Sequence, residues 1–229
     1  MNNRVTDSIY WVGVHFPEPP PGAALNAYLI VDDKIAVIDT TAPATGQQVL
    51  EKIKAIVDPN DIDYIVLTHA DLDHAGGLRL LSEAAPQATI VASEFEARSI
   101  PLWGVRAPVQ VTGEGDSLSL GRHTLRFIQS PYICTPGHQL IFEETEGVLF
   151  SGDLFAQIGP QDWQLFADSD CSQVLQMVQG IKLGDTQYPR QALNKIKDLP
   201  IRVIASGHGH LLRDRLDSYM ACLAGEQPH

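Results

Sequence analysis

Positive charge is scarce in this sequence, cysteine is sparse, and no long apolar run occurs. Lys and Arg number 16 against 28 Asp and Glu, a formal net charge of −12 over 229 residues. No window gathers a basic cluster, which argues against a phosphate-tracking nucleic-acid surface. The opening Met1-Asn2-Asn3-Arg4-Val5-Thr6-Asp7 has no apolar signal core, and no apolar stretch approaches the ~20 residues of a membrane helix. The expectation is therefore a soluble cytoplasmic protein with neither nucleic-acid nor membrane partners. The cysteines Cys134, Cys171 and Cys222 form an odd set without a Cys-x-x-Cys pair, which indicates neither a disulfide framework nor a structural thiolate zinc site. Long linkers, low-complexity tracts and repeats are also missing. The expectation is one domain over 1–229, built of two halves with a break near 105–115.

What is present is an apolar content of 44%, enough for a substantial core. Ile9-Tyr10-Trp11-Val12-Gly13-Val14, Asn26 to Val31 and Lys34 to Asp39 read as strands of an antiparallel meander. The proline-rich Phe16 to Gly22 between the first two cannot pair as a central strand and is a candidate rim or lid. A helix is expected from Thr41 through Val57, with an apolar stripe at positions 49, 50, 53, 56 and 57. Further strands are expected at Ile62 to Leu67, Ala88 to Ala92, Ser117 to Leu120, Thr124 to Ile128, Gln139 to Phe142, Gly147 to Ser151 and Ile201 to Ala205. Helices are expected after Gly77, from Cys171 to Gln179, from Pro189 to Lys197 and at the end of the chain. The second half is expected to begin near Val109.

The stretch Thr68-His69-Ala70-Asp71-Leu72-Asp73-His74 follows a buried-strand pattern and opens a helix. A strand end is a rigid base, and imidazoles and carboxylates spaced this way suit divalent metals. Other potential ligands also sit where strands end. In Ser151-Gly152-Asp153, Gly152 allows close backbone approach and the two oxygens of Asp153 can bridge two metals. In Gly207-His208-Gly209 an imidazole lies between two glycines. The stretch Ser130 to His138 offers Cys134 and His138.

These motifs resemble the metallo-β-lactamase superfamily, and Asp71 at the second ligand position resembles its flavodiiron and oxygen-binding diiron branch. The resemblance extends to the strands at Ile9, Asn26, Lys34 and Asp63 and to Leu149-Phe150-Ser151-Gly152-Asp153-Leu154-Phe155. It implies an α+β fold, a metallo-β-lactamase-like αββα four-layer sandwich. It further implies His69 and Asp71 on one metal, Asp73 and His208 on another, and Asp153 between them. His74 either ligates or is a loop imidazole. Asp39 orients a ligand without binding metal, and His210 is a rim residue. For the remaining ligand, the superfamily's Thr-Pro-Gly-His pattern selects His138, whereas the register of the diiron branch selects Cys134, and both stay open.

The implied cofactors are two metal ions, iron favoured with zinc or manganese possible. The leading function is a nonhaem diiron protein that binds or reduces O2 or NO, or a sensor of O2. A fused flavodoxin does not fit in 229 residues, so electrons are expected from a separate donor. The competing reading is a dizinc hydrolase of an ester, lactone or thioester, with Asp73 as the catalytic residue that steadies an attacking hydroxide. A degenerate binding protein is a third. A homodimer is compatible with the resemblance.

Overall fold

The computed structural model describes residues 3–15, 24–157, 164–167, 174 and 187–225. Six strands make the first sheet in chain order: β1 (Ile9–Trp11), β4 (Tyr28–Ile30), β5 (Ile35–Ile38), β6 (Ile62–Val66), β7 (Thr89–Ser93) and β8 (Val109–Thr112). Pairing is antiparallel from β1 to β5 and parallel from β5 to β8. The change follows from connectivity, because a crossover helix must return the chain between parallel neighbours. Between β5 and β6 that helix is α1 (Gly46–Lys54), and α2 (Leu72–Ala75) and α3 (Leu78–Ala84) lie between β6 and β7. The second sheet orders β13 (Val203–Ser206), β12 (Val148–Gly152), β11 (Gln139–Glu143), β10 (Thr124–Gln129) and β9 (Ser117–Ser119). A short hairpin joins β2 (Val14–His15) to β3 (Ala24–Leu25).

Three buried clusters define four layers. One joins Val49, Leu50 and Ile53 of α1 and Leu78 and Leu81 of α3 to the outer face of the first sheet. The second lies between the sheets, where Ile30, Ile38 and Val66 meet Phe127, Ile141 and Phe150. The third packs α5 (Gln187–Ile196) and α6 (Leu216–Ala224) on the outer face of the second sheet through Leu193, Ile196, Tyr219 and Leu223. Each sheet is thus apolar on both faces, which explains the fully buried pattern of β11 and β12. The αββα sandwich expected from the sequence is the observed fold.

Several boundaries differ from the sequence expectation. The first helix starts at Gly46, not Thr41, because residues 39–41 clamp the loop opposite. Thr40 N–H donates to the His74 carbonyl at 2.7 Å, and the Thr41 carbonyl accepts from Gly77 N–H at 3.0 Å. Asp39 and Thr41 take positive φ values of 56° and 60° to do so. Val109–Thr112 pairs with β7 and so closes the first sheet instead of opening the second. The proline-rich stretch and most of the helix expected at Cys171 to Gln179 lie outside the described residues. Cys134 is a free thiol. Among the described residues, no helix is long and apolar enough to cross a membrane.

Candidate metal centre

Strands β5, β6, β12 and β13 all end on one edge of the sandwich, and the polar residues that follow them converge there. Thr68 C=O accepts from Gln139 N–H at 2.9 Å, and Gly207 C=O accepts from Asn26 N–H at 2.8 Å. These bonds tie the sheets together beside the site. Asn26 further donates through Nδ2 to the Ser206 and Gly209 carbonyls at 2.9 and 3.1 Å, and Tyr28 Oη donates to Ser206 at 2.6 Å. The His208 turn is therefore built on a buried amide and a phenol.

Asp153 stands at the centre with its two carboxylate oxygens turned to different neighbours. Oδ2 lies 3.6 Å from His69 Nε2. Oδ1 lies 3.1 Å from His74 Nε2 and 3.4 Å from His208 Nε2. On the Oδ2 side, Asp71 Oδ2 is 3.9 Å from His69 Nε2 and accepts from Cys134 Sγ at 3.0 Å. On the Oδ1 side, His74 and His208 bring their Nε2 atoms to 3.2 Å, and Asp73 Oδ2 is 3.2 Å from His208 Nε2. The sequence-predicted residues His69, Asp71, Asp73, His74, Cys134, Asp153 and His208 thus form two donor sets that share Asp153.

The residues fit a pair of metal ions. Ligand atoms held on a common ion by bonds of about 2.1 Å stand roughly 3.0–3.4 Å from one another, close to most of the separations above. His69 supplies an independent sign: its ring is fully buried, and its Nε2 has no hydrogen-bond partner among the described residues. A buried ring nitrogen without a partner is costly unless something binds it. The other imidazoles are oriented from behind. His208 Nδ1 donates to the Ala24 carbonyl at 3.1 Å, and His74 Nδ1 donates to Asp39 Oδ2 at 3.0 Å, so Nε2 of each faces the centre. Asp39 also accepts from Thr68 N–H at 2.8 Å and Thr68 Oγ1 at 2.7 Å. It touches Thr68 and His74 from outside the cluster.

His138 sits differently from the other imidazoles. Its Nδ1 is 2.8 Å from Ser130 Oγ, and its Nε2 accepts from Asp153 N–H at 3.3 Å. Both ring nitrogens are thus occupied by the protein. Gly152, with φ of 51°, makes room for this, since a Cβ there would strike His138 Nε2. Gly207 likewise leaves space for the His74 ring. His210 is buried and donates to the Gln164 carbonyl at 2.6 Å, which does not suit the rim position expected for it.

Without metal, protons carry the balancing charge. Burial works against ionising Asp153, but His74, His208 and His69 outweigh it and hold the carboxyl well below its usual range. Burial also opposes a charge on His208, yet Asp153 and Asp73 push it up to about 9. His74 is raised by Asp153 and Asp39 against the same burial. His69 is depressed, first by burial and then by the neighbouring His74. Burial takes His138 down to about 4, and burial with Asp153 and Asp71 drives the Cys134 thiol upward.

One buried residue gave only a faint signal in the sequence. Glu96, 3% exposed, accepts from Ala70 N–H through Oε2 at 3.2 Å and from the Thr135 hydroxyl through Oε1. It joins the His69–Asp71 loop to the loop that carries Cys134. Ser93-Glu94-Phe95-Glu96 contains a Ser-x-x-Glu capping pattern, and Ser93 does cap α4 (Glu94–Ala97). That pattern explains a helix start but not the reach of the glutamate into the site.

Comparison with known proteins agrees with the geometry. The "ODP family beta lactamase" family matches residues 23–209. A nitric oxide reductase of Moorella thermoacetica is 30% identical over 227 residues, covering 91% of this chain and 57% of that protein. A rubredoxin-oxygen oxidoreductase of Megalodesulfovibrio gigas is 35% identical over 144 residues, 60% of this chain and 35% of that one. Among solved structures, the flavodiiron protein of Giardia intestinalis superposes with a TM-score of 0.86 at 25% identity, over 98% of this chain and 60% of that one. The chain therefore spans little more than half the length of the first of these relatives. With its αββα layers and shared central carboxylate, it belongs to the ODP family of the metallo-β-lactamase fold, among homologues that are flavodiiron proteins.

Proposed function

We propose that this chain is a nonhaem diiron protein that binds or reduces O2 or NO, with electrons supplied by a separate donor or with the diiron site acting as an O2 sensor. The observation that carries the reading is the pair of donor sets divided by the two oxygens of Asp153. His69 and Asp71 would hold the first ion, Asp73, His74 and His208 the second, with Asp153 shared between them. Three carboxylates in this set offset the positive charge of two metals and favour oxygen-loving iron over soft-ligand metals. The names of the relatives support the same chemistry, since a nitric oxide reductase and a rubredoxin-oxygen oxidoreductase are among them.

Two irons, when bound, supply electrons by moving between ferrous and ferric states. The protein's own part is to hold and expose them. His69 and Asp153 are buried, whereas the side chains of Asp71 and Asp73 are each 45% exposed. Leu72 between them is 59% exposed, so the site opens on the α2 side. A diatomic gas enters there while the inner walls exclude bulk water. Asp71 and Asp73 are the carboxylates positioned at that mouth.

The test is anaerobic loading with ferrous iron, followed by exposure to O2 or NO. The expected result is uptake of two irons per chain and a new near-ultraviolet absorption on exposure to gas. Iron uptake with an unchanged spectrum and no gas consumption would overturn the redox reading. Tight uptake of zinc with hydrolysis of an ester, lactone or thioester would replace it with the hydrolase.

A further inference from the structure

We infer that Cys134, not His138, supplies the remaining side-chain donor of the first metal, as a thiolate, and that Glu96 positions it. The inference rests on the dinuclear reading above and deepens it by making the two ions chemically unlike. His69, Asp71 and Cys134 present ligand atoms that all lie within 4.8 Å of one another. The Nε2 of fully buried His69, unpartnered among the described residues, belongs to this same set, so the thiol is not an isolated feature.

The loop explains why cysteine and not histidine reaches the ion. Ser130 N–H donates to the His138 carbonyl at 3.0 Å and Tyr132 N–H to Thr135 at 2.8 Å, which closes residues 130–138 into a compact turn. Ile133 is buried in the core at its base. Its neighbour Cys134 then faces the other way, to Asp71 Oδ2 at 3.0 Å. His138, at the far end, is spent on Ser130 and on the amide of Asp153. It supports the bridging residue from behind.

Glu96 holds this turn against the first metal loop. Its two oxygens accept from Ala70 and Thr135, and Ser93 Oγ donates to the Gly137 carbonyl at 2.6 Å beside it. Ala70 lies between His69 and Asp71, and Thr135 follows Cys134. One carboxylate therefore sets the distance between all three donors.

In the metal-free protein the Sγ–H bond points to Asp71. Binding replaces that proton with the ion: a metal–sulfur bond forms, the S–H bond breaks, and the proton leaves to solvent. The soft thiolate lowers the reduction potential of the first metal relative to an imidazole ligand, while the second keeps nitrogen and oxygen donors.

Cobalt(II) reports the ligand directly, because a thiolate adds an intense near-ultraviolet charge-transfer band to the visible bands of the bound ion. The full chain, metal-free and then titrated with Co2+, is expected to take up two ions and to show that band with the first. Cys134→Ala should lose the band and retain one tightly bound ion, and Cys134→His should bind two ions without the band. His138→Gln should keep it. Glu96→Ala should weaken the band several-fold, with Glu96→Gln restoring part of it. Two bound ions with no thiolate band in the natural sequence would overturn this inference while leaving the dinuclear site intact, as would a band that survives in Cys134→Ala. Failure to bind Co2+ at all would overturn both.

Discussion

Replacing Asp39 with Asn tests whether a residue that touches no metal governs the ion held by His74. Asp39 is 3% exposed and accepts three hydrogen bonds, two from Thr68 and one from His74 Nδ1. Its φ of 56° is a conformation that Asn tolerates nearly as well as Asp, so the backbone turn survives the change. An amide has one acceptor oxygen and one NH2, so it keeps the bond to Thr68 N–H but no longer accepts the remaining pair. Facing an NH2, His74 Nδ1 becomes an acceptor, which moves the ring proton to Nε2, the atom that points at Asp153. Loss of one charge-assisted bond, or part of two, costs about 2–4 kcal/mol, or roughly 5–15 °C in melting temperature for a chain of this size. Metal affinity should fall by about 10–100-fold, as for other residues that orient ligands, and more for the second ion than the first. Calorimetric melting of the metal-free protein and a chelator competition with two-ion resolution measure both. An Asn variant that melts within a degree of the parent and binds both ions equally well would refute the orienting role.

The remaining predictions concern acid–base behaviour, backbone space and a control far from the metals. In metal-free protein His208 is pushed up to about 9 from 6.5, so its contribution is complete below pH 6.5 and disappears as pH rises through about 9. This is worth up to about 3 kcal/mol; thermal melts should show metal-free protein losing stability over that range, and a flat profile would contradict it. His138, held near 4, acts in the opposite direction: its contribution is present above pH 6.5 and lost as pH falls through about 4, so His138→Gln should flatten the acid limb of the melting profile. Gly152→Ala puts a Cβ against His138 in a positive-φ backbone, and the combined strain and crowding should cost about 3 kcal/mol or more with lower metal occupancy, read by denaturant unfolding and elemental analysis. The fully buried pair of His123 Nδ1 and Glu143 Oε1, 2.9 Å apart, is remote from the four strand ends. Glu143→Ala should destabilise by about 3–5 kcal/mol without changing metal stoichiometry, and a lost ion would show that this pair is coupled to the centre.

The candidate site was legible in the sequence where imidazoles and carboxylates follow directly on core strands. His69, Asp153 and His208 each lie within three residues of a strand whose apolar run is visible, and the strand carries the residue to the edge. Asp71, Asp73 and His74 come with the same short loop. The donor between Cys134 and His138 was not decidable, because both fit the local pattern. The choice depends on Ile133 burying in the core and on Ser130 holding His138, contacts that only the folded loop defines. Glu96 was hidden for the same reason: its partners Ala70 and Thr135 are 26 and 39 residues away. The late start of α1 likewise reflects bonds from Thr40 and Thr41 to the metal loop, a tertiary demand that outweighs helical propensity. The Val109 strand joined the first sheet because its partner β7 offered a free parallel edge, which no pattern inside residues 109–112 announces.

A pair of redox-active irons would share Asp153 between the two donor sets. Element-resolved metal analysis of protein purified from cells grown with both iron and zinc available tests it most directly. About two irons per chain are expected, falling to one or none in Asp153→Ala. Two zincs per chain, or full iron occupancy in Asp153→Ala, would contradict it.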